Sequence, residues 1–148
     1  LARHPDIEAL VRSDPHLLKS VRSLVRCYAR ELGYDDDTVD RIVLAVDEAC
    51  TNAIRHAYHG DEERALSLKL GFDDGSLSIE VGDEGCPAPR ERLGKRIEES
   101  PAEAGEIKPG GLGIPFMREV FDSVEFEAGE AQGNRVRLRL KRPAHGST

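Results

Sequence analysis

The sequence predicts a two-layer α+β sandwich, with helices on one face of a mixed, mostly antiparallel sheet. Three observations lead there. Two runs of apolar residues at helical spacing fill the N-terminal part of the chain. Two pairs of alternating apolar segments follow, and a short helical segment separates those pairs.

In chain order, Ile7 to Val11 is a short candidate strand. Ser13-Asp14-Pro15 has the form of a helix entry, a capping side chain followed by a proline tolerated in the first turn. Leu17, Leu18, Val21, Leu24, Val25 and Tyr28 then recur at helical spacing up to Gly33, the expected C-cap. A second helix opens in Asp35-Asp36-Asp37-Thr38, where acidic side chains complement the N-terminal end of the helix dipole. Its apolar stripe is Val39, Ile42, Val43, Val46, Cys50, Ala53 and Ala57.

The period then drops to two. Leu66, Leu68, Leu70 and Phe72 alternate, Asp73-Asp74-Gly75 gives a turn signal, and Leu77, Ile79 and Val81 alternate again, which reads as a hairpin. Arg90 to Glu99 reads as a short polar helix, and Ser100 to Gly113 is rich in Gly, Pro and charge. Ile114 to Phe121 is expected to be helical, with Pro115 in its first turn. Val124, Phe126 and Ala128, then Val136, Leu138 and Leu140, form a second pair of strands around a glycine-rich turn. The whole chain, 1–148, reads as one domain, and at that length a core forms without disulfides or a structural metal.

Composition narrows the function. Hydrophobic residues are 39% and charged residues 33%, the balance of a water-soluble protein. The net charge of −7 argues against nucleic acid or an anionic membrane as a partner. Arg135, Arg137, Arg139, Lys141 and Arg142 cluster near the C-terminus, and their alternation reads as the solvent face of a strand. Cys27, Cys50 and Cys86 are odd in number and lie in no CxxC pair, as expected for free thiols in a reducing cytoplasm. No apolar run reaches the ~18 residues of a membrane span, and no signal-peptide pattern is evident.

Four features carry chemistry. Glu48, Asn52 and His56 are spaced i, i+4, i+8, so at about 100° per residue they fall within an arc of about 80° on one helix face. A carboxamide oxygen is a neutral ligand for Mg²⁺, and a carboxylate one turn away can orient or deprotonate a nucleophile. Val81-Gly82-Asp83-Glu84-Gly85 ends a strand with an acid between glycines, where a carboxylate can accept from the exocyclic amine of a base. Gly110-Gly111-Leu112-Gly113 precedes a helix, so its N–H groups can cradle phosphate. Lys108, just before it, is placed to reach a phosphate. Taken singly, these are also the solvated face of an amphipathic helix, a strand-ending turn, a flexible helix cap and a solvent-exposed loop lysine. No Walker A or GxGxxG pattern is present.

Their order is more specific than any one of them. Glu48-x-x-x-Asn52-x-x-x-His56, then Asp83-x-Gly85, then Gly111-x-Gly113 resembles the GHKL ATPase superfamily of gyrase B, MutL and histidine kinases. The stretch Leu44 to Tyr58, with Asp83-Glu84-Gly85-Cys86-Pro87 and Gly111-Leu112-Gly113-Ile114, is most similar to the bacterial anti-sigma-factor serine kinases. The resemblance covers Ile7 to about Leu140.

The resemblance implies ATP and Mg²⁺ as cofactors, with Asn52 on the metal and Glu48 as base toward the attacking hydroxyl. It implies Asp83 on the adenine amine, Gly85 beside the base, and Gly111 and Gly113 closing on the phosphates. His56 would sit near the nucleotide edge, and Asn134 would stand where related domains carry Thr near adenine. Residues 87–113 would be the ATP lid. The implied activity is phosphorylation of a serine on an anti-anti-sigma-type protein, coupled to sequestration of a sigma factor. A homodimer and a cytoplasmic location are implied with it. Two other readings stay open: a nucleotide-loaded regulatory binding module without phosphotransfer, and a histidine-kinase-type ATP-binding domain. An intact Glu48 weighs against the first of these, and the lack of a recognisable phospho-acceptor helix pair before Ile7 weighs against the second.

Overall fold

A computed structural model gives the fold and describes residues 4–57, 65–83, 113–129 and 133–142. The expected helix at 90–99 lies outside them. Five strands are described: β1 (Ile7–Arg12), β2 (Ala65–Asp73), β3 (Ser76–Asp83), β4 (Ser123–Gly129) and β5 (Gly133–Lys141). Three α-helices accompany them: α1 (Leu18–Glu31), α2 (Asp36–Ala57) and α3 (Gly113–Val120). The sheet order is β1-β2-β3-β5-β4, and every described pairing is antiparallel.

The helix ends follow their sequence signals. Asp14 caps the His16 N–H at 2.9 Å, but Pro15–Leu17 form a 3-10 turn and α1 begins only at Leu18. α1 stops where Gly33 takes φ 92°, with Gly33 N–H on Arg30 O at 2.9 Å and Tyr34 N–H on Ala29 O at 3.4 Å, a Schellman closure. Asp35 Oδ1 then accepts from Thr38 N–H at 2.7 Å and caps α2. The β2–β3 turn places Asp74 at φ 49° and Gly75 at φ 75°, the two positive angles of a type I′ hairpin.

The core lies between the helices and one sheet face. Val21, Val25 and Ala29 of α1 and Val39, Ile42, Val43 and Val46 of α2 are buried with Leu66, Leu68, Leu70, Leu77, Ile79 and Leu138 of the sheet. α2 runs antiparallel to α1 and also packs against α3, so it buries more than one stripe: Ala45, Ala49 and Ile54 are buried too. Across the α1–α2 seam, Arg22 meets Asp47 at 2.7 Å, Arg26 meets Asp40, and Arg30 meets Asp36 at 3.6 Å. These half-exposed pairs add little stability. Their four-residue steps on α1 match the run of α2 in the opposite direction and fix its register.

The other sheet face is charged, and the C-terminal basic row is its solvent face as expected. Arg137 Nε donates to Glu80 Oε2 at 3.1 Å, Arg137 Nη1 lies 3.2 Å from Glu127, and Arg139 pairs with Asp73 at 2.7 Å. Within this row Arg135, Arg137 and Arg139 are each paired with an acid of the same sheet. No helix among the described residues is long and apolar enough to cross a membrane.

Candidate functional site

α2 and the start of α3 meet at the residues singled out for chemistry. Glu48 and Asn52 lie one turn apart on α2, both half-buried. α3 begins against them at Gly113, which is itself buried. A Cβ built on Gly113 would lie 2.9 Å from Glu48 Oε2, 3.3 Å from Glu48 Cβ and 3.3 Å from Asn52 Nδ2. A side chain there would make the Glu48 carboxylate shift. The glycine brings the N-terminus of α3, with its helix-end N–H groups and partial positive charge, up to the carboxylate and the carboxamide.

Asn52 Oδ1 is buried and has no hydrogen-bond partner among the described residues. An orphaned amide oxygen costs about 1–3 kcal/mol. That cost is removed when a cation or a donor arrives. Mg²⁺ fits this oxygen: it takes one or two protein oxygens and fills its other positions with phosphate and water. Among the described residues no group of three or more His, Cys, Asp or Glu side chains forms a metal cage. A metal at Asn52 would therefore be held jointly with a phosphate-bearing ligand.

Asp83, at the end of β3, is a buried carboxylate at 6% exposure. Its Oδ1 accepts from the backbone N–H of Asn134 at 3.2 Å, tying the end of β3 to the start of β5. That bond comes from the Asn134 main chain and orients Asp83. Beside Asp83, the Ser67 hydroxyl occupies the space over Gly82, where a Cβ would lie 2.5 Å from its Oγ.

His56 lies in α2, but its side chain is outside the described residues. So are Gly85, Lys108 and Gly111, with the expected lid apart from Gly113. Of the nine candidate residues, Glu48, Asn52 and Gly113 are brought into contact, and Asp83 with Asn134 forms a second cluster at the β3 end. Sequence reasoning named Gly82 only as a glycine flanking Asp83 and did not single out Ser67. A glycine inside the alternating Leu77–Asp83 run was the signal for the first, and nothing in the pattern pointed to the second.

The two described thiols, Cys27 and Cys50, take no part in this arrangement. Cys50 is fully buried, and desolvation with the nearby Asp47 charge pushes its pKa up to about 12. Cys27 is exposed on α1, and Cys86 lies outside the described residues.

We expect Gly113→Ala to leave the fold intact, since the closest atom it meets is the end of a flexible glutamate. It should slow catalysis by about 10–100-fold by shifting Glu48 or the α3 start. Circular dichroism with a turnover assay checks this, and an unaltered rate would mean that the close approach has no functional role.

A family model described as histidine kinase-like ATPase domain matches residues 11–140. The serine-protein kinase RsbW of Bacillus velezensis is 28% identical over 148 residues, covering 96% of this chain and 91% of the relative. The anti-sigma F factor of Clostridium botulinum is 28% identical over 120 residues, 81% of this chain and 82% of the relative. Among solved structures, the RsbU and RsbW domains of Rv1364c from Mycobacterium tuberculosis superpose with a TM-score of 0.62 at 19% identity. That match covers 96% of this chain and 34% of the longer one.

Proposed function

The chain belongs to the histidine kinase-like ATPase domain family, and from that premise we propose that it is an ATP-dependent serine protein kinase that also acts as an anti-sigma factor. Relatives over most of its length carry the names serine-protein kinase and anti-sigma F factor. Nucleotide use follows from the family. The finer proposals are that residues 1–148 act as one kinase domain in the cytoplasm, that Mg²⁺ accompanies ATP, and that the acceptor serine lies on an anti-anti-sigma-type protein. The competing complex is with a sigma factor.

One observation carries the proposal: the buried Oδ1 of Asn52, unpartnered among the described residues, one turn from Glu48 and against the start of α3. In our reading Asn52 supplies a neutral oxygen to Mg²⁺, which when bound neutralises charge on the ATP phosphates. The N–H groups at the start of α3 face the phosphates and hold them beside Glu48. Asp83, fixed by the Asn134 N–H, accepts from the adenine amine. The serine Oγ attacks the γ-phosphorus, the bond to the β–γ bridging oxygen breaks, and ADP leaves. Glu48 takes the serine proton. Positioning and charge neutralisation do most of the catalytic work in such a transfer.

The Asp83 assignment makes a specific prediction. Guanine presents a carbonyl oxygen where adenine presents its amine, so a carboxylate faces it unpaired and repelled. The wild type should prefer ATP to GTP by about tenfold or more, and Asp83→Ala should lose most of that preference. Competition binding with the two nucleotides measures it. Equal affinity of the wild type for both would remove Asp83 from the base pocket while leaving the kinase reading to be judged on Glu48.

A further inference from the structure

We propose that the turn of α2 before Glu48 docks the segment of the acceptor protein that carries its serine, with Leu44 as the apolar anchor and Arg41 as the partner of an acidic side chain. The proposal rests on the kinase reading above and gives that site its protein-substrate side. Leu44 is 51% exposed, one of two large apolar side chains exposed among the described residues. A single exposed leucine is ordinary on a protein surface. Its position here is not. Leu44 and Asn52 lie four residues either side of Glu48, so at about 100° per residue the three share an arc of about 80° on one face of α2. Arg41, exposed as well, falls within the same arc.

The order of residues along the helix follows the order of the reaction. Asn52 and the start of α3 take the phosphates on one side of Glu48. In an in-line transfer the attacking and leaving oxygens lie on opposite sides of the phosphorus, so the serine arrives from the other side, over Leu44. Charge points the same way. On α1, Arg22, Arg26 and Arg30 are each paired with an acid of α2, whereas Arg41 makes no ion pair among the described residues. An available guanidinium beside an exposed leucine suits a segment with one apolar and one acidic side chain, an apolar centre with a polar rim. Helix rise sets the spacing. Leu44 lies about 6 Å and Arg41 about 10 Å along the axis from Glu48. The acceptor then carries its apolar residue two positions from the serine on an extended segment, or four positions away on a helical one.

The test compares Leu44→Asp, Leu44→Met and Arg41→Glu with the wild type, using purified anti-anti-sigma-type proteins of the same genome as probes. Leu44→Asp should raise KM for the phosphorylated protein by about 10–50-fold, and Arg41→Glu by about tenfold. Saturating kcat should stay within about twofold, the pattern of lost binding rather than lost chemistry. Leu44→Met keeps the apolar contact and should hold KM within about threefold of wild type. Mg-ATP affinity should be unaltered in all three. A KM unmoved by both Leu44→Asp and Arg41→Glu would overturn the proposal. So would a changed Mg-ATP affinity in Leu44→Asp, which would assign Leu44 to the nucleotide side, or a changed oligomeric state, which would assign it to a second copy. If the wild type labels no serine, the kinase reading fails by itself, and equilibrium binding of the nucleotide-loaded chain to the same proteins decides the docking surface. Binding weakened about tenfold or more by Leu44→Asp would sustain it. Binding that the variant leaves unchanged, or no binding by the wild type, would overturn it.

Discussion

Glu48→Gln should lower phosphotransfer by about 10²–10⁴-fold while leaving Mg-ATP and partner binding intact. In barrier terms that is about 3–5 kcal/mol. The substitution keeps the size and the hydrogen-bonding capacity of the side chain but removes the charge that accepts the serine proton. Geometry motivates the expectation. Glu48 Oε2 sits where a single methyl on Gly113 would press on it, at the meeting point of α2 and the α3 N-terminus. An incoming hydroxyl aligned with phosphates held by that helix end must pass this carboxylate. Single-turnover transfer with labelled ATP, run beside an equilibrium binding measurement, separates the two effects. A transfer rate within threefold or so of wild type would remove Glu48 as the base, since general-base loss is rarely that small.

Asn52→Ala should give two thermal shifts of opposite sense. Stabilisation by Mg-ATP, about 2.7 kcal/mol at a hundred times Kd for the wild type, should vanish because the metal loses its protein oxygen. The ligand-free protein should melt about 2–4 °C higher, since the variant no longer buries an unpartnered carbonyl and alanine favours a helix more than asparagine does. A residue that destabilises the empty protein and is needed only when ligand arrives is the mark of a binding site. A surface role would leave both unchanged, and a packing role would lower the ligand-free melting temperature without touching the Mg-ATP stabilisation. Differential scanning fluorimetry on both proteins, with and without Mg-ATP, reads all of these outcomes.

Much of the fold was legible because its signals are local. Asp73-Asp74-Gly75 announced a hairpin turn, Gly33 a helix end and Asp35-Asp36-Asp37-Thr38 a helix start, and each is realised in backbone angles and short hydrogen bonds. Period-two alternation gave both strand pairs, because a sheet covered on one face imposes that pattern. What was not legible depends on where distant elements meet. Leu44 sits in the middle of a hydrophobic-looking helix yet is 51% exposed, while Ala45 beside it is buried, because α2 is flanked by α1, the sheet and α3 together. Helical periodicity describes one buried stripe and not a helix packed on three sides.

The candidate site was legible as a set of residues and not as an arrangement. Glu48 and Asn52 share a face by spacing alone. That Gly113, sixty-one residues after Asn52, would abut both is a consequence of α3 packing on α2. Likewise, Asp83 was identified from its place after a strand, but its hydrogen bond from the Asn134 main chain arises from the end registry of β3, β5 and β4, which no local motif encodes.

The central claim is that this chain moves the γ-phosphate of ATP onto a protein serine. The most direct measurement incubates the protein with γ-labelled ATP, Mg²⁺ and purified anti-anti-sigma-type proteins from the same genome, followed by phosphoamino acid analysis of every labelled band. The account predicts label on serine of one such partner, dependent on Mg²⁺ and on Glu48. Tight Mg-ATP binding with no label on any partner would contradict it and make the chain a nucleotide-loaded binding module, and label on histidine would make it a histidine-kinase-type domain.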